Sequence, residues 1–256
     1  MADWIWYLAL IPAGFAAGII NTIAGGGSFL TLPALMFVCG IDLKVANATN
    51  RVAILLSSAS ATATFAKHGH LDRKLAIGLA VPTLLGVPVG AIAAIRLSTS
   101  ALEPIFGVLF LAMAIVILSN PKRFVSQGDR PEKLPRWGYL VFFAIGVYVG
   151  FIQAGMGILL LVSMQLVATG DLVQSNAIKN LIGFVVTLVA VIVFVSLGTV
   201  YWLPGLLMAA GNLAGGIAGA KLAIAKGNRL VLAVLLTVMT ATGIKLLWPV
   251  IGGMIG

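Results

Sequence analysis

What this sequence has least of is charge: 9% of its 256 residues are Asp, Glu, Lys or Arg, where a soluble domain carries about 25%. With 61% of the chain hydrophobic, a water-exposed surface cannot be built from it, and the residues must face lipid instead. Cysteine is nearly absent. Cys39 stands alone, which excludes an internal disulfide and leaves no thiol cluster for a metal. Carboxylates are few and peripheral: Asp3, Asp42, Asp72, Glu103, Asp129, Glu132 and Asp171 fall at termini, in loops or at the ends of apolar stretches. None lies mid-span, where cation pumps and proton relays place Asp or Glu. His68 and His70 flank Gly69 in a basic loop, where solvated histidines are the simpler account than a proton sensor. One thiol, two loop histidines and no buried acid supply no nucleophile–base pair, so an intramembrane enzyme is disfavoured and neither cofactor nor metal is expected.

The net charge of +9 resembles a nucleic-acid signature only at first sight. The basic residues sit mainly in short polar connections between apolar segments, which is how membrane proteins set their orientation. A phosphate-tracking surface needs a contiguous basic face, and no segment here offers one, so nucleic acid is not expected as a partner. The opening Met1-Ala-Asp-Trp-Ile-Trp lacks a basic n-region and reads as the start of a retained span.

At 1.5 Å rise per residue, about 20 apolar residues cross a bilayer. Such stretches run near Trp4–Ala24, Val45–Ala66, Leu75–Ile95, Leu102–Ser119, Trp137–Ala154, Leu181–Leu197, Leu203–Ala223 and Leu230–Trp248. Two shorter runs, Ser28–Gly40 and Gly157–Thr169, follow glycine clusters and read as half-helices or short tilted helices. The expected fold is therefore all-α, a polytopic transmembrane helical bundle of eight long spans plus two short helices after Gly-rich breaks. The proline-bearing polar stretch 120–136 divides it into a first transmembrane repeat, 1–119, and a second, 137–256.

The halves match in order. Gly14 and Gly18 align with Gly146 and Gly150, Ala24-Gly-Gly-Gly27 with Ala154-Gly-Met-Gly157, Asn50 with Asn180, Gly69 with Gly198, and Gly86 and Gly90 with Gly215 and Gly219. One such match means little; five in sequence point to an internal repeat. If each short run crosses the membrane, a half has an odd number of crossings and the second half is inverted. With the 120–136 linker cytoplasmic, that arrangement places Lys67, Arg73, Lys74, Lys122, Arg123, Arg130, Lys133, Arg136, Lys179, Lys221, Lys226 and Arg229 inside. Only Lys44, Arg51, Arg96 and Lys245 stay outside or near it. The positive-inside rule favours two inverted repeats with both chain ends outside.

The strongest local signal is Gly25-Gly26-Gly27-Ser28 between two apolar runs. Three glycines break a helix and let backbone amides approach a ligand unobstructed. A helix starting near Ser28 offers free amides and a positive dipole end to an anion. Tight packing of small residues between spans is the competing account, but Gly155-Met156-Gly157 repeats the break in the second half and favours a ligand site. Asn21 and Thr22 precede the first break and Gln153 the second; they bind either a ligand or one another. Asn50 and Asn180 open equivalent spans beside Arg51 and Lys179, the basic residues nearest the apolar interior. Two readings of that pair stay open, snorkelling to the interface or counter-charging a transported anion. Trp4, Trp6, Tyr7, Trp137, Tyr201, Trp202 and Trp248 fall at span ends as an interfacial belt.

The stretch from Ala17 to Leu35, Ala-Gly-Ile-Ile-Asn-Thr-Ile-Ala-Gly-Gly-Gly-Ser-Phe-Leu-Thr-Leu-Pro-Ala-Leu, closely resembles the TauE/SafE family of sulfite and organosulfonate exporters, as do Ala46-Asn-Ala-Thr-Asn-Arg51 and Gly69-His-Leu-Asp72. The second half matches more loosely, with Met156 inside its glycine cluster. The resemblance implies a carrier for sulfite, thiosulfate, sulfoacetate or a related small anion in a bacterial inner membrane, with the lipid bilayer as its surroundings. An anion channel of the same architecture and a subunit of a larger membrane complex are the alternatives.

Overall fold

The computed structural model describes residues 3–96, 135–151, 155–167 and 171–255, with Val108, Leu111, Ala114, Ile115, Leu118 and Ser119. Gln153, the expected span Leu102–Ser119 apart from those six positions, and the 120–136 linker before Pro135 lie outside the described residues. Every regular element among the described residues is helical. A 3₁₀ turn, Asp3–Ala9, leads into α1 (Leu10–Ile23), α2 (Ser28–Cys39), α3 (Leu43–Lys67) and α4 (Arg73–Arg96). The second half supplies α5 (Arg136–Phe151), α6 (Met156–Val167), α7 (Leu172–Ser196) and α8 (Trp202–Ile255).

Local chemistry sets the boundaries. The Asp42 carboxylate accepts the Val45 amide at 3.0 Å and starts α3. Asp171 accepts the amides of Val173 at 2.9 Å and Gln174 at 3.3 Å and starts α7; Asp72 accepts the Leu75 amide at 2.9 Å at the start of α4. Each satisfies donors that a helix start leaves without carbonyl partners. Among the acids expected at span ends, termini and loops, Asp42, Asp72 and Asp171 are thus helix caps. The α1–α2 and α5–α6 breaks each carry a glycine at positive φ, Gly25 at 88° and Gly155 at 78°, a conformation that costs a residue with a Cβ roughly 1–2 kcal/mol.

Helices approach closely where glycines line the crossings, as small residues permit in membranes. A methyl on Gly14 or Gly18 of α1 would meet the α8 backbone at Met208 or Asn212, and one on Gly211 or Gly215 of α8 would meet α1 at Ile11 or Phe15. The same device joins α4 to α5, where Gly86 faces Phe143 and Gly146 faces Thr83. Helix directions follow from the order of such contacts. Ile11, Gly18 and Thr22 lie beside Gly211, Gly215 and Gly219 in turn, so α1 runs parallel to the first arm of α8. Thr49 lies by Gly205 and Ser57 by Gly216, so α3 runs parallel to that arm as well. Arg51 lies by Phe194, whereas Ser58 lies by Gly183, so α3 and α7 are antiparallel. Since α1 and α3 point the same way, the chain must return between them through α2, whose 12 residues span about 18 Å.

Three stretches among the described residues, Trp6–Ile23, Arg73–Gly90 and Leu172–Ser196, are long and apolar enough to cross a membrane. Leu85, Leu140 and Ile192 present their side chains outward and exposed, with Trp6, Trp137 and Trp248. An apolar exterior of this kind belongs against lipid. The expected stretches Leu203–Ala223 and Leu230–Trp248 are the two helical arms of α8, which meet at a kink at Gly227, where φ is 67° and ψ −162°. The span expected at Leu181–Leu197 begins at Leu172 instead. Asp171 nucleates it early and draws the polar residues Ser175, Asn176, Lys179 and Asn180 inside, where all four are buried. Burial of Lys179 and Arg51 takes both out of the loop-charge tally without altering which side is richer in basic residues.

Candidate functional site

The two glycine breaks meet. Gly25 lies so near Gly157 that a methyl on either would collide with the other's backbone, and the starts of α2 and α6 converge there. Around this junction is a small cavity of about 20 Å³, lined by Asn21, Gly25, Ser28, Ile54, Ser58, Met156, Gly157, Lys179, Asn180 and Gly183. That is room for about one water molecule.

Lys179 reaches the junction from α7. Its ammonium donates to the backbone carbonyls of Asn21 at 2.8 Å and Thr22 at 2.7 Å. These are carbonyls at the C-terminal end of α1, the negative pole of that helix. An ammonium has three donors, and the third has no partner among the described residues. Asn180 donates to the same Thr22 carbonyl at 3.3 Å and to the Asn176 carbonyl at 2.8 Å. Across the junction, Asn50 donates to the Ser28 hydroxyl at 3.4 Å, while its own side-chain oxygen is buried without a partner. The amides of Gly26, Gly27 and Ser28 find no backbone acceptor among the described residues, because the helical pattern resumes only with Phe29, Leu30 and Thr31 bonding to Gly26 and Gly27. The junction thus presents an ammonium, amide dipoles and a hydroxyl, with no carboxylate lining it.

The expected site residues separate into groups. Asn21, Gly25, Ser28, Met156, Gly157, Lys179 and Asn180 line one cavity, and Asn50 joins through Ser28. Thr22 contributes its carbonyl to Lys179, with its hydroxyl 3.5 Å from that of Ser57. Gly26 faces Val238 of α8, and Gly27 packs on Ala17 and Asn21; these two and Gly155 shape the backbone. Arg51 does not line the cavity. Its guanidinium lies 4.8 Å from the centre of the Phe194 ring. Ile54, Ser58 and Gly183 were not expected, although helical spacing points to them: Ile54 and Ser58 follow Asn50 at four-residue steps, and Gly183 follows Lys179 by four.

Comparison with known proteins gives a family and several relatives. The family model described as sulfite exporter TauE/SafE matches residues 10–246. A probable membrane transporter protein, ORF9, from Sinorhizobium sp is 30% identical over 251 residues, covering 96% of this chain and 95% of that relative. Probable membrane transporter proteins of Haemophilus influenzae and of Escherichia coli K12 (YfcA) are each 27% identical, over 87% and 91% of this chain and 87% and 86% of their own lengths. No solved structure matches. With the family model spanning nearly its full length, the chain belongs to the TauE/SafE family of membrane transporters.

Proposed function

We propose that this transporter carries a small sulfur oxyanion, sulfite or a close relative such as thiosulfate or sulfoacetate, across a bacterial inner membrane. The observation that carries the reading is the junction of two helix breaks around Lys179. An anion leaving water must be compensated inside a low-dielectric protein. Here the compensation comes from the third ammonium donor of Lys179, the unused amides at the start of α2 and the Ser28 hydroxyl. The family's description as sulfite exporters points to the cargo class. A cavity of about 20 Å³ is too small for a four-atom oxyanion, so the junction stands closed and must widen to admit cargo.

In the proposed architecture, residues 1–119 and 137–256 are inverted repeats related by an axis in the membrane plane, joined by a cytoplasmic linker, with both termini outside. Its support is the antiparallel crossing of α3 and α7, two helices of 25 residues each with an aspartate cap. Two further pairings support it. The short helices α2 and α6 have 12 residues each, and the glycine-lined crossing of α1 with α8 has a counterpart in that of α5 with α4. The test is flux of labelled sulfite into proteoliposomes. Saturable uptake, lost in Lys179→Gln protein that inserts normally, supports the reading; unsaturable flux supports a channel, and absence of sulfite flux in wild type removes the substrate.

A further inference from the structure

A second cation is buried in the membrane domain away from the central junction. Arg51 is 5% exposed, its Nε is buried without a hydrogen-bond partner, and no carboxylate pairs with it among the described residues. The described aspartates at the helix starts, Asp42, Asp72 and Asp171, are occupied in capping. What Arg51 has is Phe194 of α7, over whose ring the guanidinium carbon sits 4.8 Å from the centroid. A buried, unpaired guanidinium is costly unless something compensates it. The ring supplies no hydrogen-bonding lone pair, so the buried Nε–H keeps no partner. The guanidinium edge that carries it has the fork geometry that binds an oxyanion through two parallel hydrogen bonds.

Its position gives the vacancy a use. Ser58 faces Gly183 where α3 and α7 cross, and Arg51 lies two turns from that point on one side while Lys179 lies one turn away on the other. At helical rise the Cα positions of the two residues are about 16 Å apart along the helix pair. Arg51 is also about 12 Å inside the start of α3 at Leu43, between that membrane face and the cavity. We propose that Arg51, held against Phe194, is a second anion station, which holds the cargo oxyanion by its N–H edge on the way between the α3-start face and the central junction. The proposal rests on the anion-carrier reading above, and it separates the two basic residues into successive stations.

The experiment follows the side-chain Nε–H resonance of Arg51 in ¹⁵N-arginine-labelled full-length protein, assigned by its loss in Arg51→Lys. Sodium sulfite and, separately, sodium sulfate are titrated into wild type and into Lys179→Gln. The expected result is a saturable shift of the Arg51 signal in both proteins, with the half-saturating concentration in Lys179→Gln within threefold of wild type. Phe194→Leu, which removes the ring and keeps the cation, should raise that concentration at least threefold. If Lys179→Gln does not fold, Gly157→Ala, which crowds the junction, takes its place. A shift that disappears when the junction is disabled makes Arg51 part of one site and overturns the proposal, as does no saturable shift with either anion in wild type. A saturable shift with sulfate but not sulfite, together with absent sulfite flux, sinks the sulfite reading and leaves the station standing.

Discussion

Replacing Gly157 with alanine tests the junction most directly. Gly157 lies at the start of α6 with helical backbone, so the substitution adds no strain in φ and its whole effect comes from one methyl. That methyl would fall well inside contact with the Gly25 Cα, and would stand 3.3 Å from the Gly25 nitrogen and 3.2 Å from Cδ of Lys179. Carbon atoms settle at about 3.5–4.0 Å, so the backbone of the α1–α2 break must retreat by about 1 Å. Backbone does not swing aside as a long side chain does. Overpacking of this kind costs about 1–3 kcal/mol. The retreat also pulls the Asn21 and Thr22 carbonyls from the Lys179 ammonium, so transport should suffer more than stability. Expected outcomes are a melting temperature lower by a few degrees in detergent and sulfite flux per inserted molecule reduced at least tenfold. Gly78→Ala is the control. Gly78 is also helical, with nothing within 4 Å of an added methyl, and the variant should match or slightly exceed wild type in stability. Wild-type melting and wild-type flux in Gly157→Ala would refute the contact between the two breaks.

Lys179→Gln removes the charge while keeping a donor, and should weaken sulfite binding by the roughly 1.5–3 kcal/mol of a charge-assisted hydrogen bond, about tenfold or more; unchanged affinity per folded molecule would take Lys179 out of the site. Asp171→Ala takes the capping carboxylate from the Gln174 amide and leaves the Val173 amide only its bond to Asn228 Oδ1; it should lower stability by about 0.5–2 kcal/mol, read as a drop in melting temperature with cargo affinity retained. For topology, single cysteines replacing Lys226 and Thr199 in a Cys39→Ser background should differ in intact cells: position 199 reacts with an impermeant thiol reagent and 226 does not. Labelling at 226 from outside would contradict the inverted arrangement.

Much of the architecture was legible in the chain because it depends on local chemistry. Hydrophobicity marks a membrane protein without reference to any contact. Glycine triplets and the Gly155–Gly157 cluster break helices wherever they occur, and the short runs expected at Ser28–Gly40 and Gly157–Thr169 appear as α2 and α6. The start of α7 lies earlier than the apolar stretch Leu181–Leu197 suggests: a count of apolar residues passes over Ser175, Asn176, Lys179 and Asn180, which the Asp171 cap and a buried polar junction bring into the helix. What the chain alone left open was which polar groups share a space. Arg51 and Lys179 are alike by composition, and both stood as counter-charges or snorkelling residues. Only the packing of α3 against α7 separates them, one on the α1 carbonyls and the other on an aromatic ring. The repeat pairs the two glycine breaks, but the direct contact of Gly25 with Gly157 belongs to the packed structure: close approach depends on the shape of both surfaces at once, a property that neither segment carries alone.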